Sequence, residues 1–209
     1  MPVNLTEPWS KKHKSVTKAA SGGLPYSLSN SFAQPLSQPE LIRFTEERGD
    51  QALIDDWNQH GLEYTPNGGS DDLKEEIAKL YGDEITSANI LIFAGAQVAL
   101  QTAAFALARD CHTIVFTPGY QSTVEAAGHS GGSVTRIKLK PENGWQIDPD
   151  EVVKAIREDT RYMVINNPHN PTGTSCSLSL LTELVEIAKR HNIRFMSDEV
   201  YRNLEHNER

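Results

Sequence analysis

The sequence is short of cysteine, of positive charge and of long uncharged runs, and each shortage narrows what the chain can be. Only two of its 209 residues are cysteines, Cys111 and Cys176. They lie far apart and match no metal-ligand spacing, so neither a disulfide scaffold nor a zinc module is expected. Two reduced thiols in a cytoplasmic protein is the better reading, although a disulfide between them is not forbidden. Lys and Arg total 20 against 28 Asp and Glu, a net charge of -8. Such a field repels phosphate backbones and anionic bilayers, so no nucleic acid and no membrane is expected as a partner. The stretch Met1–Trp9 has no apolar core, so no secretory signal is expected. One uncharged run, from Ile90 to Ala108, approaches the ~20 residues of a membrane span. Gly95, Gln97, Gln101 and Thr102 interrupt it, however, and it divides into a strand and a helix. The seven histidines form no ligand-spaced cluster, so no metal is expected.

What is present suits a globular α/β chain. Apolar residues make up 38% and glycine adds 14 residues, close to the globular share of ~45–50%. Residues 1–40, rich in Ser, Pro, Gly and Lys, read as an extended arm, and residues 41–209 as the folded domain. A helix is predicted over 41–60, broken near Gly49. Ser70 is placed to cap a helix whose Leu73, Ile77 and Leu80 share one face. From there short apolar strands alternate with amphipathic helices. Strands are predicted at 90–93, 113–116, 134–139, 162–165 and 194–196. The helices between them fall at 96–108, 122–129, 149–158 and 179–191. This order predicts a mostly parallel sheet covered by helices on both faces, a three-layer α/β/α arrangement.

In open parallel sheets, ligands sit at the carboxyl ends of the strands, and four segments fall there. Gly95-Ala96-Gln97 opens a helix, where free amides and the helix dipole suit a phosphate, or the segment is an ordinary strand-to-helix turn. In Thr117-Pro118-Gly119-Tyr120, Tyr120 offers its ring to a planar ligand or covers the sheet edge. Asn166-Asn167-Pro168-His169-Asn170-Pro171-Thr172-Gly173 is a stiff loop able to aim Asn170, with His169 read as a solvated loop residue. In Ser197-Asp198-Glu199-Val200-Tyr201, Asp198 either needs a cationic partner or caps a following helix.

Taken together and in order, these pieces and Tyr64-Thr65-Pro66-Asn67-Gly68-Gly69 resemble the class I/II aminotransferases of the pyridoxal-phosphate fold type I family. The similarity runs from Tyr64 to Tyr201, with Asn170-Pro171-Thr172-Gly173 and Asp198-Glu199-Val200-Tyr201 as its more specific parts. The resemblance implies pyridoxal 5'-phosphate as cofactor and amino-group transfer between an amino acid and a 2-oxo acid. It implies that Gly95, Ala96 and Gln97 bind the phosphate and that Tyr120 stacks on the pyridine ring. Asn170 and Tyr201 would bond the phenolic oxygen, and Asp198 would pair with the ring nitrogen. Tyr64 matches a tyrosine that reaches the neighbouring subunit's phosphate, so a homodimer is implied. It also implies cis bonds at Thr117–Pro118 and Asn170–Pro171.

The family's Schiff-base lysine lies beyond the Asp-x-x-Tyr motif, in a Ser-x-Ser-Lys segment that these 209 residues do not include. Ser15-Val16-Thr17-Lys18 resembles it locally but lies on the wrong side of the other motifs. Residues 41–209 are therefore expected to be an incomplete cofactor-binding large domain, inactive alone, or a truncated module that binds the cofactor or dimerises without catalysis. The arm segment 21–27 faintly resembles members acting on arginine-like amino acids. Gly128-His129-Ser130-Gly131-Gly132 fits a hydrolase nucleophile elbow by pattern. It ends a helix and precedes a strand, the reverse of what an elbow needs, so a helix stop is expected. No Gly-x-Gly-x-x-Gly follows the first strand and no Gly-Lys-Ser/Thr is present, which disfavours nucleotide binding.

Overall fold

The computed structural model describes residues 31–206. The segments 15–18 and 21–27 therefore lie outside the described residues, as does most of the expected arm. The chain divides after Pro66 into two compact units. In the first, α1 (Gln38–Glu47) starts at a capping box: Ser37 Oγ accepts the Glu40 N–H, and the Glu40 carboxylate accepts the Ser37 N–H at 2.8 Å. α2 (Gln51–Gln59) follows after Gly49, whose φ of +79° supplies the break. The predicted helix over 41–60 is thus two helices.

The second unit opens with α3 (Asp71–Ala78), capped by Ser70, whose Oγ accepts the Leu73 N–H at 3.4 Å. Asp71 and Asp72 sit at its positive end. Then come α4 (Ala96–Leu107), β1 (His112–Thr117), α5 (Gln121–His129) and β2 (Ser133–Lys138). They are followed by α6 (Pro149–Ala155), β3 (Thr160–Asn166), α7 (Leu178–Arg190) and β4 (Arg194–Asp198). The four strands lie in the order β2-β1-β3-β4, every pair parallel.

Alternation along the strands builds two cores. Ile114 and Phe116 of β1 join Met163 and Ile165 of β3 on one face, where Val152 of α6 and Leu184, Ile187 and Ala188 of α7 cover them. Val115, Tyr162 and Val164 point the other way, onto Val124 and Ala127 of α5 and Ala108 after α4. This is the expected three-layer arrangement. At the amino end of the strands, buried His112 bonds Thr160 Oγ1 through Nδ1 at 2.7 Å and Thr135 Oγ1 through Nε2 at 2.8 Å, tying β1 to both neighbours. Burial pushes its pKa down.

One predicted element is absent. Residues 90–93 are extended but form no strand of the sheet; their inter-segment backbone bond runs from the Ile92 N–H to the Gly68 carbonyl at 2.9 Å. Among the described residues no strand lies beside them to complete a ladder, and Leu91 and Phe93 are left exposed. A side chain at Gly69, where φ is +96°, would collide with Ile92, which accounts for glycine there. The Gly128–Gly132 segment ends α5 as a helix stop, with Ser130 Oγ turned back to the Ala127 carbonyl at 2.6 Å.

Candidate functional site

Because the strands are parallel, the segments after β1, β3 and β4 leave the sheet at one edge. After β1 the chain turns through a cis Thr117–Pro118 bond to Gly119. A Cβ on Gly119 would approach the Phe116 carbonyl oxygen to 2.7 Å and Val124 Cγ2 to 2.9 Å, so glycine permits the tight start of α5. Tyr120 follows at the N-cap of α5, 36% exposed, with its ring open to a ligand. α4, which packs beside α5, starts at Gly95 (φ +97°), with open space around the Cβ position. Ala96 and Gln97 are exposed in its first turn, where helix amides lack intrahelical acceptors and the dipole is positive. Because residues 90–93 lie outside the sheet, this phosphate-type turn follows an extended segment rather than a sheet strand.

The loop after β3 carries cis bonds at Asn167–Pro168 and Asn170–Pro171. Its Asn170 is half-buried, and Nδ2 donates to the Tyr201 hydroxyl at 3.2 Å. The two residues expected to share one ligand oxygen are therefore neighbours. Asp198 closes β4, only 7% exposed. Its Oδ1 accepts the Val200 N–H at 3.2 Å. No helix follows, so the capping alternative fails; residues 200–203 form a turn. Burial pushes the Asp198 pKa up, the Val200 N–H works against it, and Glu199 adds to it. Among the described residues no cation forms an ion pair with this carboxylate. A buried acid of this kind is suited to a cationic group brought in by a ligand.

Tyr64 belongs to the first unit and its side chain is fully exposed. His169, expected to be solvated, is instead half-buried, with Nδ1 bonded to Thr172 Oγ1 at 2.7 Å. Burial lowers its pKa, partly offset by the Pro118 carbonyl. Two site residues escaped sequence reasoning. Buried Asn166 spans between Asn170 and Asp198, and buried Asn167 accepts the Cys176 N–H at 2.9 Å through Oδ1. The signal was present, since two adjacent amides ending an apolar strand must find partners when buried.

The family model for aminotransferase class I and II matches residues 41–209. The chain belongs to that family. Among similar aminotransferases, the aspartate aminotransferase of Pyrococcus horikoshii is 35% identical over 161 residues, 75% of this chain and 40% of that protein. The arginine–pyruvate transaminase of Pseudomonas aeruginosa is 30% identical over 74% of this chain and 40% of its own length. The crystal structure of a PLP-dependent aminotransferase from Streptococcus suis superposes with a TM-score of 0.79 at 26% identity, over 89% of this chain and 50% of that one. The chain thus spans about 40% of the length of the curated relatives it matches. The family's cofactor is pyridoxal 5'-phosphate.

Proposed function

We propose that this chain is the cofactor-binding part of a pyridoxal-phosphate-dependent aminotransferase that moves an amino group between an amino acid and a 2-oxo acid. The observation that carries the reading is Asp198, a buried carboxylate with which no cation among the described residues pairs, standing at the strand edge beside the Asn170–Tyr201 pair. That donor set fits the cofactor. Asp198 would hold the pyridine nitrogen protonated, because a charged carboxylate in a poorly solvated place is stabilised by a cation against it. Asn170 Nδ2 and the Tyr201 hydroxyl would both donate to the phenolic oxygen. Tyr120 would cover one ring face and exclude water from it. The amides of Ala96 and Gln97, reached closely because Gly95 has no side chain, would take the phosphate at the α4 N-terminus. When bound, the cofactor supplies the electron sink that eases removal of the substrate's Cα proton.

Relatives of comparable identity are named for aspartate and for arginine with pyruvate, which supports an amino acid and 2-oxo acid pair without choosing the side chain. We further propose residues 1–40 as an arm and 41–209 as part of the large domain, in keeping with a family match that begins at 41. A homodimer is proposed from the exposed Tyr64, which matches the family's cross-subunit tyrosine. A cytoplasmic setting is proposed from the two free thiols. The test is transfer of an amino group to 2-oxo acids from a panel of amino acids. It uses the protein as its source makes it, with pyridoxal 5'-phosphate added. Transfer from at least one amino acid is expected; none across the panel would overturn the reading.

A further inference from the structure

Asn166 ends β3 and is 7% exposed, and both ends of its carboxamide are used. Oδ1 accepts the backbone N–H of Asn170 at 2.7 Å. Nδ2 donates to the backbone carbonyl of Asp198 at 2.9 Å. That carbonyl also accepts the Asn167 N–H at 2.9 Å, so both its lone pairs are occupied. The orientation of the amide is fixed, because one end faces a donor that needs an acceptor and the other faces an acceptor that needs a donor.

We infer that Asn166 is a positioning residue: its carboxamide locks the loop bearing Asn170 to the strand end bearing Asp198, and so sets the spacing of the contacts to the phenolic oxygen and to the ring nitrogen. It touches no cofactor atom. Near neutral pH no other natural side chain of that length offers one donor and one acceptor in the same plane. An aspartate keeps the acceptor for the Asn170 N–H but turns an oxygen towards the Asp198 carbonyl. Once protonated, its hydroxyl donates to that carbonyl and restores the lock.

The inference rests on the cofactor reading above, and its test separates the two. The probe is pyridoxamine 5'-phosphate, which has no aldehyde to condense with surface lysines, titrated calorimetrically into the 209-residue chain. Asn166→Ala is expected to weaken binding about 5- to 30-fold, the effect of losing a well-made buried hydrogen bond. Asn166→Asp is expected to bind weakly near neutrality. Its deficit relative to wild type at each pH should close as pH falls towards the carboxylate range at about pH 4, as its carboxyl protonates. A change that merely loosened the loop would leave that ratio flat. If Asn166→Ala does not fold, Asn166→Asp alone decides. Binding by Asn166→Ala within about twofold of wild type overturns the inference while leaving the cofactor reading intact. A ratio for Asn166→Asp that does not move with pH overturns it equally. Failure of the wild-type chain to bind the probe overturns the cofactor reading, and this inference with it.

Discussion

Replacing Asp198 by asparagine should push binding and stability in opposite directions, and the structure gives the reason for each sign. The carboxylate is 7% exposed and its Oδ1 is held by the Val200 N–H at 3.2 Å. An asparagine oxygen can keep that bond, so the turn after β4 survives the substitution. What disappears is the charge. A hydrogen bond to a charged group contributes about 1.5–3 kcal/mol and a neutral one about 0.5–1.5 kcal/mol. The difference, about 1–2 kcal/mol, weakens cofactor binding about 5- to 30-fold.

Stability moves the other way. Burial raises the Asp198 pKa, so between the ordinary carboxylate range and that raised value the folded chain keeps a proton that the unfolded chain releases. Wild-type stability therefore falls as pH rises through this window, and the penalty is complete once pH exceeds the raised value. Asparagine removes it. The variant should melt higher than wild type at pH 7, and the advantage should shrink to nothing as pH falls below about 4. Calorimetric titration with pyridoxamine 5'-phosphate and melting curves from about pH 4 to pH 8 measure both halves. Unchanged binding, or a melting temperature at pH 7 below that of wild type, would refute the reasoning.

Further outcomes are expected at three other positions. Tyr201→Phe removes the hydroxyl that takes the Asn170 Nδ2–H at 3.2 Å. It should weaken binding of the same probe about 2- to 13-fold and lower the melting temperature by no more than a few degrees, in line with a loss of about 0.5–1.5 kcal/mol. His112 has a lowered pKa, so the unfolded chain binds its proton first as pH falls. Wild type should lose stability on acidification below the ordinary histidine value of about 6.5. His112→Asn should show a flatter urea midpoint over that range. Leu184→Ala empties a fully buried position in the core between α7 and the sheet. Chemical denaturation should register a loss of about 2–5 kcal/mol.

Much of the fold was legible because each strand of the sheet carries its own evidence. The run Thr113–Phe116 is apolar on both faces, as a strand covered by helices on each side must be. Residues 90–93 show the limit. Ile90-Leu91-Ile92-Phe93 has the same composition, but strandhood is a property of two segments, and composition says nothing about whether a neighbour stands alongside. The candidate site divides in the same way. Asp198 and Asn170 announced themselves as polar residues at strand ends, and Gly95 as a turn glycine. Asn166 did not, since its role lies in two backbone groups far along the chain, the Asn170 N–H and the Asp198 carbonyl. His169 looked like a loop residue. Only the folded loop shows it turned onto Thr172 and half-buried.

The most direct test of the account is to map the cofactor on the chain by nuclear magnetic resonance. Pyridoxamine 5'-phosphate is added to the 15N-labelled 209-residue chain and the backbone amides are followed. The account predicts saturable shifts concentrated at Ala96 and Gln97, at Tyr120, at Asn170 and from Asp198 to Tyr201, and smaller shifts in Asp198→Asn at the same sub-saturating probe concentration. Shifts scattered over the surface, or centred at the amino end of the sheet around His112, would contradict it.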